Sequence, residues 1–260
     1  MTTTSLGWHS ATVTHVGNVR KLNEDSCLDR NDIGLWVVAD GMGGHAAGDL
    51  ASQLVVSTLA KVPEGNSLSE FVDAVEDAIL YANSRLVNLS AETQQTSGST
   101  VVAFLAREQH GIMLWAGDSR LYRLRAGRLK QLTTDHSQVE YYVQKGMLTR
   151  EQALNHPAAN MVTRAVGAGP DLYLDVDVTD LMAGDRYLLC SDGLDKHVPD
   201  PDIAALLGMG DPQSAAQNLI DATLARGATD NVTVSVIEIR PVANGGKAPA
   251  RGADSATGGG

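Results

Sequence analysis

Five short acidic segments, each set where an apolar run meets a turn, constrain this chain more than any other feature. They are Arg20-Lys21-Leu22-Asn23-Glu24-Asp25, Asp40-Gly41-Met42-Gly43-Gly44-His45, Gly117-Asp118-Ser119-Arg120, Ser191-Asp192-Gly193-Leu194 and Thr229-Asp230-Asn231-Val232. Asp40, Asp118 and Asp192 each follow a strand-like apolar run, and Asp230 precedes one. Strand ends are rigid mounts, so carboxylates carried there can converge on one site. Two carboxylates about 4 Å apart repel by roughly 4 kcal/mol at an effective dielectric near 20. Four or five together therefore require cations, and all-oxygen donors select hard ions, Mg²⁺ or Mn²⁺, over zinc. Glycine beside Asp40 and Asp192 lets the backbone approach closely enough for a carbonyl to serve as a ligand. A single Asp-Gly is usually a turn; the ordered set of five is what points to a site. The Gly41–Gly44 string is not followed by Gly-Lys-Ser/Thr, which argues against a P-loop.

The rest of the chain reads as strands with a few long helices. Ser10–Gly17 alternates, Gly34–Ala39 is a short buried run, and Val101–Arg107, Ile112–Ala116 and Leu121–Leu124 are strand-like, the hairpin turn falling at Arg125–Arg128. Leu172, Leu174, Val176 and Val178 alternate with polar residues and predict a strand that buries its apolar phase. Arg186–Cys190 and Val232–Ile239 complete the strands. One helix is expected over Ala46–Ala60. A second opens on Ser67 and Glu70 at capping-box spacing and stripes Phe71, Val75, Ile79, Ala82, Leu86 and Leu89. A third has Asp211 as N-cap, Pro212 in its first turn and Gly227 just past its end. Thr149 and Gln152 repeat the capping-box spacing inside a polar region, Asp135–Asn160. Hairpin strands with amphipathic helices imply antiparallel sheets covered by helices.

Composition narrows the function. With 20 Lys+Arg against 31 Asp+Glu the net charge is −11, which disfavours a nucleic-acid binder, whose affinity needs basic surface. Two cysteines, Cys27 and Cys190, allow no disulfide framework and no Cys-rich zinc site, and suit a reducing compartment. No signal peptide is visible in Met1–Gly17, and no apolar run approaches the ~18 residues that span a bilayer. A soluble, cytoplasmic protein with no membrane association is expected. Pro241–Gly260 is small, polar and Gly/Ala/Pro-rich, and is expected to be a disordered tail.

The chain resembles the bacterial form of the PP2C (PPM) family of metal-dependent protein phosphatases. The resemblance is carried by RKLNEDS at Arg20–Ser26, VVADGMGGH at Val37–His45, SGST at Ser97–Thr100, GDSR at Gly117–Arg120, DHS at Asp135–Ser137, VTRAVG at Val162–Gly167, CSDGL at Cys190–Leu194 and TDNVTV at Thr229–Val234. These pieces stand in family order over roughly residues 8–240 and are specific as a set. The resemblance implies an α/β fold of the α+β sandwich kind, two face-to-face antiparallel β-sheets flanked by helices (αββα), with residues 1–240 as the phosphatase domain and 241–260 as the tail. It implies hydrolysis of phosphoserine and phosphothreonine by a hydroxide held between two Mn²⁺ or Mg²⁺ ions. By position, Asp40 would bridge the ions, Asp192 and Asp230 would complete one, and the carbonyl of Gly41 would serve the other. Asp25, with Glu24 beside it, would hold metal-bound water. Asp118 with Asp192 would match a weaker third metal site, and Arg20 the phosphate-binding arginine. The partners implied are phosphorylated proteins, a Ser/Thr kinase whose action is reversed and, by similarity to phosphatases encoded with type VI secretion systems, a forkhead-associated scaffold. A monomer is expected.

The chain departs from the family pattern in places. Met42 stands where some relatives carry a histidine proposed to protonate the leaving group, and His45 is read as a helix-cap or packing residue. His136 and His156 lie in the region matching the family's flap and receive no catalytic role. Asp195-Lys196-His197 replaces a hydroxyl-then-acid pattern, and Asp195 is expected to be a solvated loop residue. Asp175-Val176-Asp177-Val178-Thr179 matches the Asp-x-Asp-x-Thr motif of aspartyl-phosphate phosphatases, but its aspartates are expected on an exposed strand face. Neither cysteine has an arginine six residues on, since Ile33 and Lys196 stand there, which argues against a cysteine phosphatase. The alternative class is a pseudophosphatase binding module, marked by loss of a metal carboxylate or of the arginine; all are present.

Overall fold

A computed structural model of the chain describes residues 5–43, 47–154 and 156–242. His45 and the tail beyond residue 242 lie outside the described residues. In chain order the elements are β1 (Leu6–His15), β2 (Asp25–Arg30), β3 (Leu35–Gly43), α1 (Ala47–Leu59), α2 (Leu68–Thr93), β4 (Ser97–Ser99), β5 (Val101–Arg107), β6 (His110–Ala116), β7 (Arg120–Arg125), β8 (Arg128–Gln131), α3 (Gln138–Gln144), α4 (Arg150–Leu154), β9 (Asp175–Asp180), β10 (Arg186–Cys190), α5 (Asp192–Asp195), α6 (Asp200–Leu207), α7 (Pro212–Ala225) and β11 (Val232–Pro241).

The strands form two antiparallel sheets. One runs β1-β11-β10-β7-β8; the other runs β2-β3-β5-β6-β9, with β4 paired to the end of β3. The side-chain period of two sorts each inner strand between two cores. In β5, Val101, Ala103 and Leu105 face α1 and α2, while Val102, Phe104 and Ala106 face the opposite sheet. In β10, Leu188 and Cys190 face α6 and α7, while Tyr187 and Leu189 face inward. Both faces are covered, so these strands read as continuous apolar runs. Between the sheets Phe104 stacks on Tyr187 with ring centroids 4.5 Å apart, a pairing worth ~0.5–1.5 kcal/mol beyond burial. The layering is αββα, as the resemblance implied.

The helices start where their caps dictate. Ser67 accepts a hydrogen bond from the Glu70 amide and Asp211 from the Ser214 amide. Phe71, Val75, Ile79, Ala82 and Leu86 are the buried stripe of α2. Thr149 and Gln152 form a reciprocal capping box at α4, 2.8 and 3.2 Å.

One strand departs from expectation. Leu172 and Leu174 are half-buried against the helix-side core, but Val176 and Val178 are 50% and 62% exposed. β9 is an edge strand, and its valines pair opposite Leu114 and Ile112 on the helix-facing side. The helices pack over β2, β3 and β4 and leave that margin open. Asp175 is not a free surface charge either: it is ion-paired to Arg164 at 2.5 Å and lies 3.3 Å from His136 Nε2.

Candidate active site

The five acidic segments end on one rim of the sandwich. Asp25, opening β2, lies directly opposite Asp40 in the ladder with β3. Gly41 pairs with Ser99 of β4. Asp118 follows β6, Asp192 follows β10 and opens α5, and Asp230 precedes β11. The rim thus draws on both sheets, and side chains tie them together. Asp25 Oδ2 accepts hydrogen bonds from Ser191 Oγ at 2.7 Å and Thr233 Oγ1 at 2.8 Å, both carried by the opposite sheet or its exit loop.

Close backbone approach explains the two Asp-Gly pairs. A Cβ on Gly41 would lie 2.1 Å from the Gly48 carbonyl oxygen, and one on Gly193 would lie 1.9 Å from that of Asn231. Gly193 therefore lets the start of α5 sit against the start of β11, which brings Asp192 beside Asp230.

Burial and mutual repulsion dominate the electrostatics. Burial first, then the charges of Asp25, Asp192, Asp118 and Asp230, hold the Asp40 carboxyl well above the usual range. Burial raises Asp25 to about 7 against the hydrogen bonds from Ser191 and Thr233. Burial and the Asp192 charge raise Asp118 to about 7. Glu24 is raised as well, mainly by burial. Buried carboxylate oxygens without a partner include Glu24 Oε1, Asp25 Oδ1 and Asp192 Oδ1. These orphaned, repelling, all-oxygen groups fit hard divalent cations. As the side chains stand, no three His, Cys, Asp or Glu residues among those described are arranged to hold an ion. Asp192 Oδ2 is instead bonded by Lys196 Nζ, and Asp230 Oδ2 by Arg20 Nη2 at 2.9 Å. Arg20 and Lys196 thus offset part of the cluster's negative charge.

Several supporting residues have no role in the sequence reading. Asn231 donates to the carbonyls of Val16 and Leu22 and accepts from the Glu24 amide, so it pins the Arg20 loop to the start of β11. Thr100 Oγ1 accepts from the Asp40 amide and pairs with Ser119 Oγ at 2.7 Å, linking Asp40 to Asp118. Arg120 grips Asp135 through two nitrogens and meets Asp195 Oδ2 at 2.8 Å. Asp195 is therefore a largely buried ion-pair partner rather than a solvated loop residue, and burial pushes its carboxyl up to about 8. A signal was present in the sequence for part of this. On the inward phase of β11, Thr233 and Ser235 precede Ile237 and Ile239, so hydroxyls mark the end nearest the rim.

His136 has a structural task. Its Nδ1 accepts from the Gly117 amide, its own amide donates to the Gly117 carbonyl, and its ring stacks on Trp115. It anchors the α3–α4 segment beside Asp118. His156 Nδ1 accepts from the Ala158 amide. A cleft of about 780 Å³ runs from the rim, where Asp118, Asp192 and Lys196 line it, to Val139, Val143 and Leu154 of that segment.

The sequence pattern of the family described as Protein phosphatase 2C matches residues 17–225. The solved structure of PppA, "a key regulatory component of T6SS in Pseudomonas aeruginosa", superposes with a TM-score of 0.84 at 43% identity, covering 90% of this chain and 98% of that one. The catalytic domain of the serine/threonine protein phosphatase PstP, solved in complex with 2 manganese ions, gives a TM-score of 0.81 at 36% identity over 90% and 99% of the two chains. Full-length PstP of Mycobacterium tuberculosis is 37% identical over 226 residues, 86% of this chain. The chain spans only 43% of the length of that relative.

Proposed function

Because the chain belongs to the protein phosphatase 2C family, we propose that it is a metal-dependent phosphatase of phosphoserine and phosphothreonine in proteins. The observation that carries this is the rim itself: carboxylates brought from both sheets around Asp40, with orphaned oxygens on Glu24, Asp25 and Asp192 and raised proton affinities at Asp25, Asp40 and Asp118. Asp40, Asp192, Asp230 and the Gly41 carbonyl would hold two Mn²⁺ or Mg²⁺ ions, with Asp25 and Glu24 orienting water. When bound, such ions supply Lewis acidity that makes water nucleophilic near neutral pH and offset phosphoryl charge.

The chain's own residues do the remaining work. Ser191 and Thr233 hold Asp25 Oδ2, so the other oxygen, Oδ1, is presented in a fixed direction. Arg20 is half-exposed beside Asp230. Its planar fork would suit bidentate contact with phosphoryl oxygens. No thiol competes as nucleophile: Cys190 is buried in the helix-side core, and burial pushes the Cys27 thiol up to about 11.

Residues 1–240 constitute the phosphatase domain in this reading. The likeness to PppA supports a type VI secretion context; a Ser/Thr kinase whose action is reversed and a forkhead-associated scaffold are the partners to test first. No described helix is long and apolar enough to cross a membrane, which is compatible with action in the cytoplasm. The test is turnover of p-nitrophenyl phosphate and a phosphothreonine peptide in millimolar Mn²⁺. Wild type should turn over, EDTA should abolish it, and Asp40→Asn or Asp230→Asn should reduce it by at least ~100-fold. Full turnover by either variant would contradict the assignment. Manganese binding without any turnover would favour the non-catalytic binding module.

A further inference from the structure

The resemblance places a third ion at Asp118 and Asp192, but this chain carries a cation of its own there. Lys196 follows Asp192 by four residues across α5, the spacing that puts two side chains on one helix face. Its Nζ bonds Asp192 Oδ2, and its side chain is only 32% exposed. Lys196, Asp118 and Asp192 all line the cleft. The charges of Asp192, Asp118 and Asp230 all act on the ammonium, and Lys196 in turn lowers Asp118 against its burial. Asp192 is left with Oδ1 as its unpartnered oxygen.

We propose that Lys196 is a resident counter-ion that replaces a third divalent ion between Asp118 and Asp192, so that this chain binds two metal ions and no more. The inference rests on the two-metal reading above. Charge balance supports it. The rim presents six carboxylates: Glu24, Asp25, Asp40, Asp118, Asp192 and Asp230. Two divalent ions supply four positive charges, and Arg20 and Lys196 one each. A third divalent ion would have to displace a tethered ammonium from Asp192 Oδ2. The tether matters because an ammonium held on the same helix competes at a high effective concentration that does not fall on dilution.

The test is metal stoichiometry, read by equilibrium dialysis against Mn²⁺ and by native mass spectrometry of the full chain. Wild type is expected to bind two ions. Lys196→Met keeps the aliphatic stem, removes the charge, and is expected to bind a third. Asp118→Asn is expected to keep two, because in this reading the charge of Asp118 is met by the lysine and not by an ion, and it tests the same point should Lys196→Met fold poorly. Three ions on the wild type, two on Lys196→Met, or fewer than two on Asp118→Asn would each overturn the inference while leaving the two-metal reading standing. No ion on the wild type would sink that reading and this inference with it.

Discussion

The carboxylates of Asp25 and Asp118 show what a single residue contributes. Each takes up its proton far more readily than in the unfolded chain, where the ordinary value is 3.8, because the fold buries it; both reach about 7. The folded, metal-free state therefore binds more protons than the unfolded state between those values. The associated stability is fully present below pH ~4 and is lost as pH rises through about 7. In EDTA, the melting temperature should fall between pH 5 and pH 7.5, and Asp25→Asn should flatten that fall. A melting temperature that climbs steadily over the range in EDTA would contradict it. With Mn²⁺ present the trend should reverse, since ligands must be deprotonated to bind. The acidic residues were legible in the sequence because each punctuates an apolar run. Their supports were not. Asn231, Thr100 and Ser119 act across 19 or more positions of sequence, and nothing local in a threonine or an asparagine announces a partner so far away. Asp195 departs from expectation for the same reason: its ion-pair partner, Arg120, lies on β7, far from α5 in the sequence.

Among the elements, the junction of α5 with β11 is the most sensitive. Gly193 has no room for a Cβ, which would fall 1.9 Å from a backbone oxygen. Gly193→Ala must push α5 off β11, at a cost of about 1–3 kcal/mol by the usual toll of overpacking. The same push separates Asp192 from Asp230, so Mn²⁺-dependent turnover should drop on the order of 100-fold. Gly169→Ala, where a Cβ meets nothing within 4 Å, is the control and should leave both stability and turnover near wild type. Elements with local punctuation were readable before the structure: α2 and α7 carry caps at Ser67 and Asp211, and β5 is long and apolar. β2 was not, because Asp-Ser-Cys-Leu-Asp-Arg neither alternates nor runs apolar. β9 was read with the right period and the wrong burial, because alternation reports two faces and not which neighbour covers them.

For the whole molecule, the decisive fact is that the rim belongs to neither sheet alone. Asp25 and Asp40 come with one sheet; Asp192 and Asp230 flank strands of the other. In a urea titration, turnover should therefore disappear at lower denaturant than far-UV circular dichroism, because a small slip of sheet on sheet breaks the site before any strand melts. Coincident loss of the two signals would show that the sheets separate only on global unfolding. Overall layering was legible from the family motifs, whereas this dependence was not, since motif order along a chain does not say which sheet each strand joins. The interior between the sheets also changes character along its length. Phe104 and Tyr187 fill its middle, and Thr12, Thr233 and Ser235 line it toward the rim. The sandwich is thus bound like a book, with an oily spine and a wet fore-edge. The carboxylates lie at that polar edge, where Thr233 Oγ1 reaches across to Asp25 of the other sheet.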